Sequence, residues 1–370
     1  MKRGLALVLV LILGLIAGFA GGYYYSLSGL SKKTAEQPTT TTATASKSPA
    51  AVAKLDLSQK VNAWLVWWDQ EKGFESLKQN AASISSVRPF WYRVEESGSI
   101  EKLAGAEDQE IIGFAKANKI KVVATITNDS DPDLVGPIIT DSAKIDLHIR
   151  NILKLVEKNG YDGIEIDYES LLAKNKEAYT SFMSKLSVEL KKQNKTLATA
   201  LHAKTEEPGT WDGPQAQDWT ELGKICDEVK IMTYDYHWAT SEAGAISPLD
   251  WTEDVIKLAV KEIPKEKIYL GVPFYGYDWV EENATDLTWQ DVQKIVKKNN
   301  PTVKSDGASK ESYFSYQKED KNHEVWFNNS ESVKSRAELA KKYSLQGIGI
   351  WRLGREDPGN WQAIQETFKK

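Results

Sequence analysis

The chain has 370 residues, 41% of them hydrophobic, which is enough for one large α/β domain with a sizeable core. A formal charge of −5 with no offsetting basic stripe excludes a nucleic-acid polyanion as partner. The single cysteine, Cys226, excludes an intrachain disulfide, and with only four histidines neither a structural zinc site nor a Cys/His nucleophile is expected.

Met1-Lys2-Arg3 precedes an apolar run over residues 5–20, followed by Gly21, Gly22 and three tyrosines. A basic start and an apolar core make residues 1–30 an export element. Gly18-Phe19-Ala20 is a candidate cleavage site, but Tyr23 to Tyr25 resemble an interfacial belt, and the reading favours an uncleaved anchor. The rest of the chain is then expected outside the membrane. Residues 31–54 are rich in Thr, Ala, Ser and Lys and read as a disordered tether.

A folded domain is expected over residues 55–370. Strand-like runs fall at 61–67, 85–91, 121–127, 163–169, 196–201, 228–236, 268–275 and 347–353. Amphipathic helical stretches separate them at 108–117, 144–158, 177–192, 218–225 and 253–262, with Thr252 before Glu253 and Asp254 reading as a helix start. Alternation of this kind builds a parallel sheet with crossover helices. Eight repeats, with no Gly-x-Gly-x-x-Gly turn after the first strand, favour a closed (β/α)8 TIM barrel over an open doubly wound sheet. The last two strands are widely separated. A small α+β insertion over about residues 280–343 is expected there, walling one side of a groove.

The most informative segment is Asp162-Gly-Ile-Glu-Ile-Asp-Tyr-Glu169. Alternation along a strand places Glu165, Asp167 and Glu169 on one face, where each carboxylate perturbs the proton affinity of the next. A charged outer face on an edge strand and a divalent-cation site are the competing readings. The flanking helices favour a central strand, in which three acids are costly to bury without a purpose. Asp162 reads as structural, capping the turn after Gly160.

Active residues of such barrels lie at the C-terminal ends of the strands. Asn128 and Asp129, Glu169, His202, the run Tyr234-Asp235-Tyr236-His237-Trp238, Tyr275 and Trp351 all fall there. Several of the 13 tryptophans stand at strand ends, where flat apolar faces suit stacking on sugar rings.

These residues carry a resemblance. Residues 162–169 are similar to the Asp-x-x-Asp-x-Asp-x-Glu motif of glycoside hydrolase family 18. Met232-Thr233-Tyr234-Asp235 resembles its Met-x-Tyr-Asp element, and Gly347 to Trp351 resembles its final strand. Val325-Trp326-Phe327 with residues 349–354 is similar to the branch of spore-cortex and cell-wall N-acetylglucosaminidases.

The resemblance implies retaining hydrolysis of β-1,4-linked N-acetylglucosamine polymers, peptidoglycan or chitin, with the substrate's own acetamido group as nucleophile. It implies Glu169 as acid and base, Asp167 as electrostatic partner, and Tyr234 as the donor that aligns the acetamido oxygen. Asp235, Met232, Trp351, Asn128, Tyr275 and Trp238 are expected to bind substrate, with Trp351 as the floor. Glu165 is a fourth catalytic candidate that departs from the pattern, standing where the family has Asp, which puts proton sharing with Asp167 in doubt. A monomer needing no cofactor or metal is expected. A sugar-binding lectin on the same barrel, or a metal-dependent hydrolase, are the alternatives.

Overall fold

The computed structural model describes residues 53–370, so the expected export element and almost all of the tether lie outside the described residues. Eight parallel strands follow in chain order: β1 (Lys60–Val66), β2 (Ser86–Val94), β3 (Lys121–Thr127), β4 (Gly163–Asp167), β5 (Thr196–His202), β6 (Glu228–Met232), β7 (Ile268–Pro273) and β8 (Gly347–Trp351). Each pairs with its successor, and β1 also pairs with β8, with Lys60 opposite Gly347, so the sheet closes on itself. A closed barrel with surrounding helices is what the alternation predicts.

A main helix follows each strand, with short helical turns at Gly136–Ile139 and Asp212–Gln215 ahead of two of them. The main helices are α1 (Gln70–Gln79), α2 (Gln109–Ala117), α3 (Ser142–Asn159), α4 (Lys176–Lys192), α5 (Trp219–Ile225), α6 (Leu249–Glu262), α7 (Ser330–Lys342) and α8 (Gly359–Phe368). Asp108 starts α2 by accepting from the backbone N–H groups of Glu110 and Ile111, and Asp141 does the same for α3. Gly160 ends α3 at φ 59°, the left-handed geometry that suits glycine. The α6 helix begins at Leu249, earlier than the Thr252 start expected. Thr252 is buried within it and its backbone N–H donates to Pro248 O at 2.9 Å.

The main apolar core lies between strands and helices, where Val61, Val87, Ile164, Ile166, Val229 and Ile348 meet the helical faces. The opposite faces of the same strands fill the barrel. Cys226 belongs to the outer core and is fully buried.

Between β7 and α7 the chain leaves the barrel for a five-stranded antiparallel sheet. Its order is Asn283–Leu287, Gly276–Val280, Lys321–Phe327, Ser312–Lys318 and Lys304–Ser305, with a helix at Trp289–Asn299. Leu287, Val292, Phe314, Val325 and Phe327 form its own small core.

Candidate active site

The strand carrying the acids ends at Asp167, two residues earlier than the alternation suggests. The Asn128 side chain causes the departure. Its Oδ1 accepts the backbone N–H of Glu169 at 2.8 Å and its Nδ2 donates to Glu169 O at 2.9 Å, replacing the bonds that a strand neighbour would make. Ser170 then turns at φ 54°, and its N–H donates to His202 Nε2 at 3.0 Å. His202 is therefore an acceptor at Nε2, and burial lowers its pKa to about 4, so it stays neutral. Glu169 is thus fixed through its backbone and leaves its carboxyl group to the barrel mouth. Asp162 ties β3 to β4 by accepting from Val122 N at 2.8 Å, where a turn cap was expected.

The three acids have different surroundings. Glu169 is only partly buried, and its pKa is pushed up to about 7, first by desolvation and then by the charge of Asp235. Asp167 is buried, and its Oδ1 has no hydrogen-bond partner. Burial, then Glu169, then Glu165 hold its pKa well above the usual carboxylate range, opposed by Lys230. Glu165 is fully buried one step deeper, where it accepts from Lys230 Nζ and from Thr125 Oγ1 at 3.0 Å.

The sixth strand was expected to run on to residue 236 but ends at Met232. Thr233 donates its hydroxyl to Gly271 O at 2.7 Å, and Asp235 takes φ 55°, which turns the chain off the sheet. Tyr234 leans on β7 at Gly271, where an added Cβ would stand 2.9 Å from its ring, so only glycine admits this pose. The phenol lies in the combined field of Asp167, Glu169 and Asp235, and with burial as the largest cause it keeps its proton far above neutrality. Asp235 accepts at Oδ1 from Tyr275 at 2.5 Å and Tyr277 at 3.1 Å.

Trp351, the last residue of β8, is half-buried, with Trp64 at 5.5 Å and Phe90 at 5.7 Å between ring centroids, both edge-on. Trp68, 50% exposed, stands 6.4 Å from the same ring and extends the aromatic surface outward. Met232 packs in this cluster. Tyr275 is buried beneath Asp235. Trp238 stands on the outer loop, its indole N–H on Thr240 Oγ1 at 3.0 Å. Asn128 spends both ends of its amide on backbone groups and so orients Glu169.

Sequence reasoning missed three contributors, Lys230, Trp68 and Phe90, and placed Tyr277 at the mouth without giving it a role. The alternation in Glu228-Val229-Lys230-Ile231-Met232 carried the signal for Lys230, since it puts a lysine on the same strand face as Met232.

The model for glycosyl hydrolases family 18 matches residues 90–356, most of the barrel and every element of the mouth apart from the end of β1. The chain belongs to this family. It is a glycosidase. Among its relatives, the uncharacterized glycosylase YvbX of Bacillus subtilis is 28% identical over 306 residues, covering 80% of this chain and 88% of that protein. The cortical fragment-lytic enzyme of Bacillus anthracis is 30% identical over 290 residues, covering 75% of this chain and 67% of that protein. Among solved structures, the spore cortex-lytic enzyme SleL of Bacillus megaterium superposes with a TM-score of 0.78 at 26% identity, over 87% of this chain and 76% of its own. The fold is also that of a chitinase from Chromobacterium violaceum, with a TM-score of 0.79 at 24% identity over 84% of this chain and 99% of that one.

Proposed function

We propose that this glycosidase cleaves N-acetylglucosamine-containing polymers by substrate-assisted, retaining hydrolysis. The observation that carries the reading is the contrast between two carboxyl groups. Glu169 sits at the mouth with a pKa near neutrality, suited to give a proton and take it back, while Asp167 is buried beside it with an unpaired oxygen. Glu165, the remaining acid of the strand, is sealed below them and engaged with Lys230, so it is not available to attack the sugar. The 2-acetamido group of the substrate supplies the nucleophile instead.

In this reading the reacting sugar lies over Trp351. Glu169 protonates the glycosidic oxygen as the acetamido oxygen attacks the anomeric carbon and the bond to the leaving group breaks. Asp167 accepts the acetamido N–H, and Tyr234 donates its hydroxyl to the acetamido oxygen, holding it in line. Water then opens the oxazolinium ion, giving a proton to the Glu169 carboxylate. Asp235 binds sugar hydroxyls on the rim, and the sheet between β7 and α7 walls one side of the groove.

Relatives named for the spore cortex favour peptidoglycan over chitin. The export element and tether read from the sequence favour a position outside the membrane, within reach of the cell's own wall. Product analysis on peptidoglycan and chitin, comparing wild type with Glu169→Gln, tests the assignment. Normal hydrolysis by the variant would sink it. A metal-dependent hydrolase would lose activity in EDTA, whereas this mechanism predicts that activity survives.

A further inference from the structure

Below the catalytic acids the barrel interior is charged. Arg88 on β2 is fully buried and pairs with Glu228 on β6, which also accepts from Asn62 at 3.1 Å. Lys230, two residues along β6, points into the same space. Its stem passes the bare backbone of Gly349, where an added Cβ would meet Cδ at 3.1 Å, and its ammonium lies 5.2 Å from the Trp64 ring and 5.8 Å from that of Tyr269. A fully buried ammonium requires an anion. Glu228 is already taken by Arg88, so the remaining candidates are Glu165 and Asp167. Glu165 accepts the ammonium on Oε1, and Thr125 holds its Oε2 at 3.0 Å, so the carboxylate is fixed at both oxygens.

We propose that Glu165 and Lys230 form a positioning pair in which Glu165 holds the ammonium off Asp167, leaving Asp167 Oδ1 free for the substrate. The proposal rests on the hydrolytic reading above. It gives the departure from the family's Asp a purpose: the longer side chain and the lysine belong together. An Asp at position 165 ends about 1.5 Å short, one carbon–carbon bond. Among the described residues Asp167 Oδ1 is the one buried carboxylate oxygen without a hydrogen-bond partner, and the charge of Lys230 already reaches it. An ammonium there competes with the acetamido N–H for the same oxygen.

The groups facing Asp167 are Glu165 and Glu169 from its own chain segment, Lys230 from β6, Tyr234 from the loop that follows β6, and Tyr179 from α4. Arg88 lies beyond Glu165 and Tyr269 beyond Lys230. Of these, Lys230 is the one cation that shortening residue 165 releases.

Restoring the family residue therefore harms this enzyme. Glu165→Asp is expected to lower kcat on a soluble N-acetylglucosamine oligomer about 10- to 100-fold, the scale of a 1 Å misplacement. Adding Lys230→Met to Glu165→Asp removes the competing ammonium and is expected to recover most of that loss. A purely structural role for Glu165 predicts the opposite, with the double variant worse than the single. Carboxyl carbon NMR on aspartate-labelled protein, with the Asp167 signal identified by its loss in Asp167→Asn, gives a readout independent of turnover. The Asp167 titration is expected to fall by about one pH unit or more in Glu165→Asp and to return in the double variant. Should Glu165→Asp not fold, Glu165→Gln takes its place, and because losing the Glu165 charge lowers the Asp167 titration by itself, activity decides: Glu165→Gln must be slow and Glu165→Gln with Lys230→Met faster. An unchanged Asp167 titration, or a double variant no more active than Glu165→Asp, overturns the pair. If wild type cleaves no polymer, the hydrolytic reading fails, and the titration still decides whether Lys230 turns to Asp167.

Discussion

Under the proposed mechanism Glu169 donates the proton and Tyr234 aligns the acetamido group, and each role implies a measurable loss. Glu169→Gln removes the proton donor while keeping its shape, so kcat is expected to fall about 1,000-fold in a hydrolysis assay. With its pKa near 7, the acid step in wild type should fade as pH rises through about 7, which a pH–rate profile will read. The same group sets a stability trend. Its folded pKa lies above the ordinary 4.5, so its contribution to stability is full below about pH 4.5 and is lost as pH rises through about 7. Glu169→Gln should therefore be more stable than wild type at pH 8 by about 1 to 2 kcal/mol, discounted for partial exposure, with the difference gone at pH 4 in chemical denaturation. Tyr234→Phe keeps the ring on Gly271 and removes only the hydroxyl, so kcat should drop about 100-fold with little change in KM.

The loop between β6 and α6 carries Tyr234 and Asp235, and a residue far along the chain secures it. Glu311 is fully buried, accepts the backbone N–H groups of Ile246 at 2.8 Å and Ser247 at 2.7 Å, and pairs with Arg336 at 2.8 Å. Glu311→Ala leaves Arg336 uncompensated, and a loss of about 3 to 5 kcal/mol is expected in thermal or denaturant unfolding. At this scale the sequence was legible where an element is set by its own residues. The eight apolar runs marked the strands, and the amphipathic stretches at 108–117 and 177–192 marked α2 and α4. It was less legible where a distant partner decides. The Asn128 amide ends β4 and the turn at Asp235 ends β6, neither of which shows in the local pattern. Lys230 was hidden for a different reason: in a barrel strand the apolar residues Val229 and Ile231 face the helices, so the charged alternates lie inside.

The first and last elements of the described domain hold each other. Ser58 N donates to Phe368 O at 2.7 Å, and Lys60 N donates to Gln346 O at 2.9 Å at the seam where β1 meets β8. A chain beginning at residue 53 is therefore expected to unfold at the same temperature as the full-length protein and to hydrolyse soluble oligomers equally well. Only the full-length chain should sediment with membranes, as the proposed anchor requires. The aromatic ledge has one more consequence. Trp64 and Trp68 stand 5.5 and 6.4 Å from the Trp351 ring, and Trp68 meets solvent. A sugar settling there strips water from indole rings whose emission depends on polarity, so the site carries its own optical reporter. In the Glu169→Gln background, occupancy becomes visible as a blue shift in intrinsic fluorescence, and polymers can be ranked by affinity without any label.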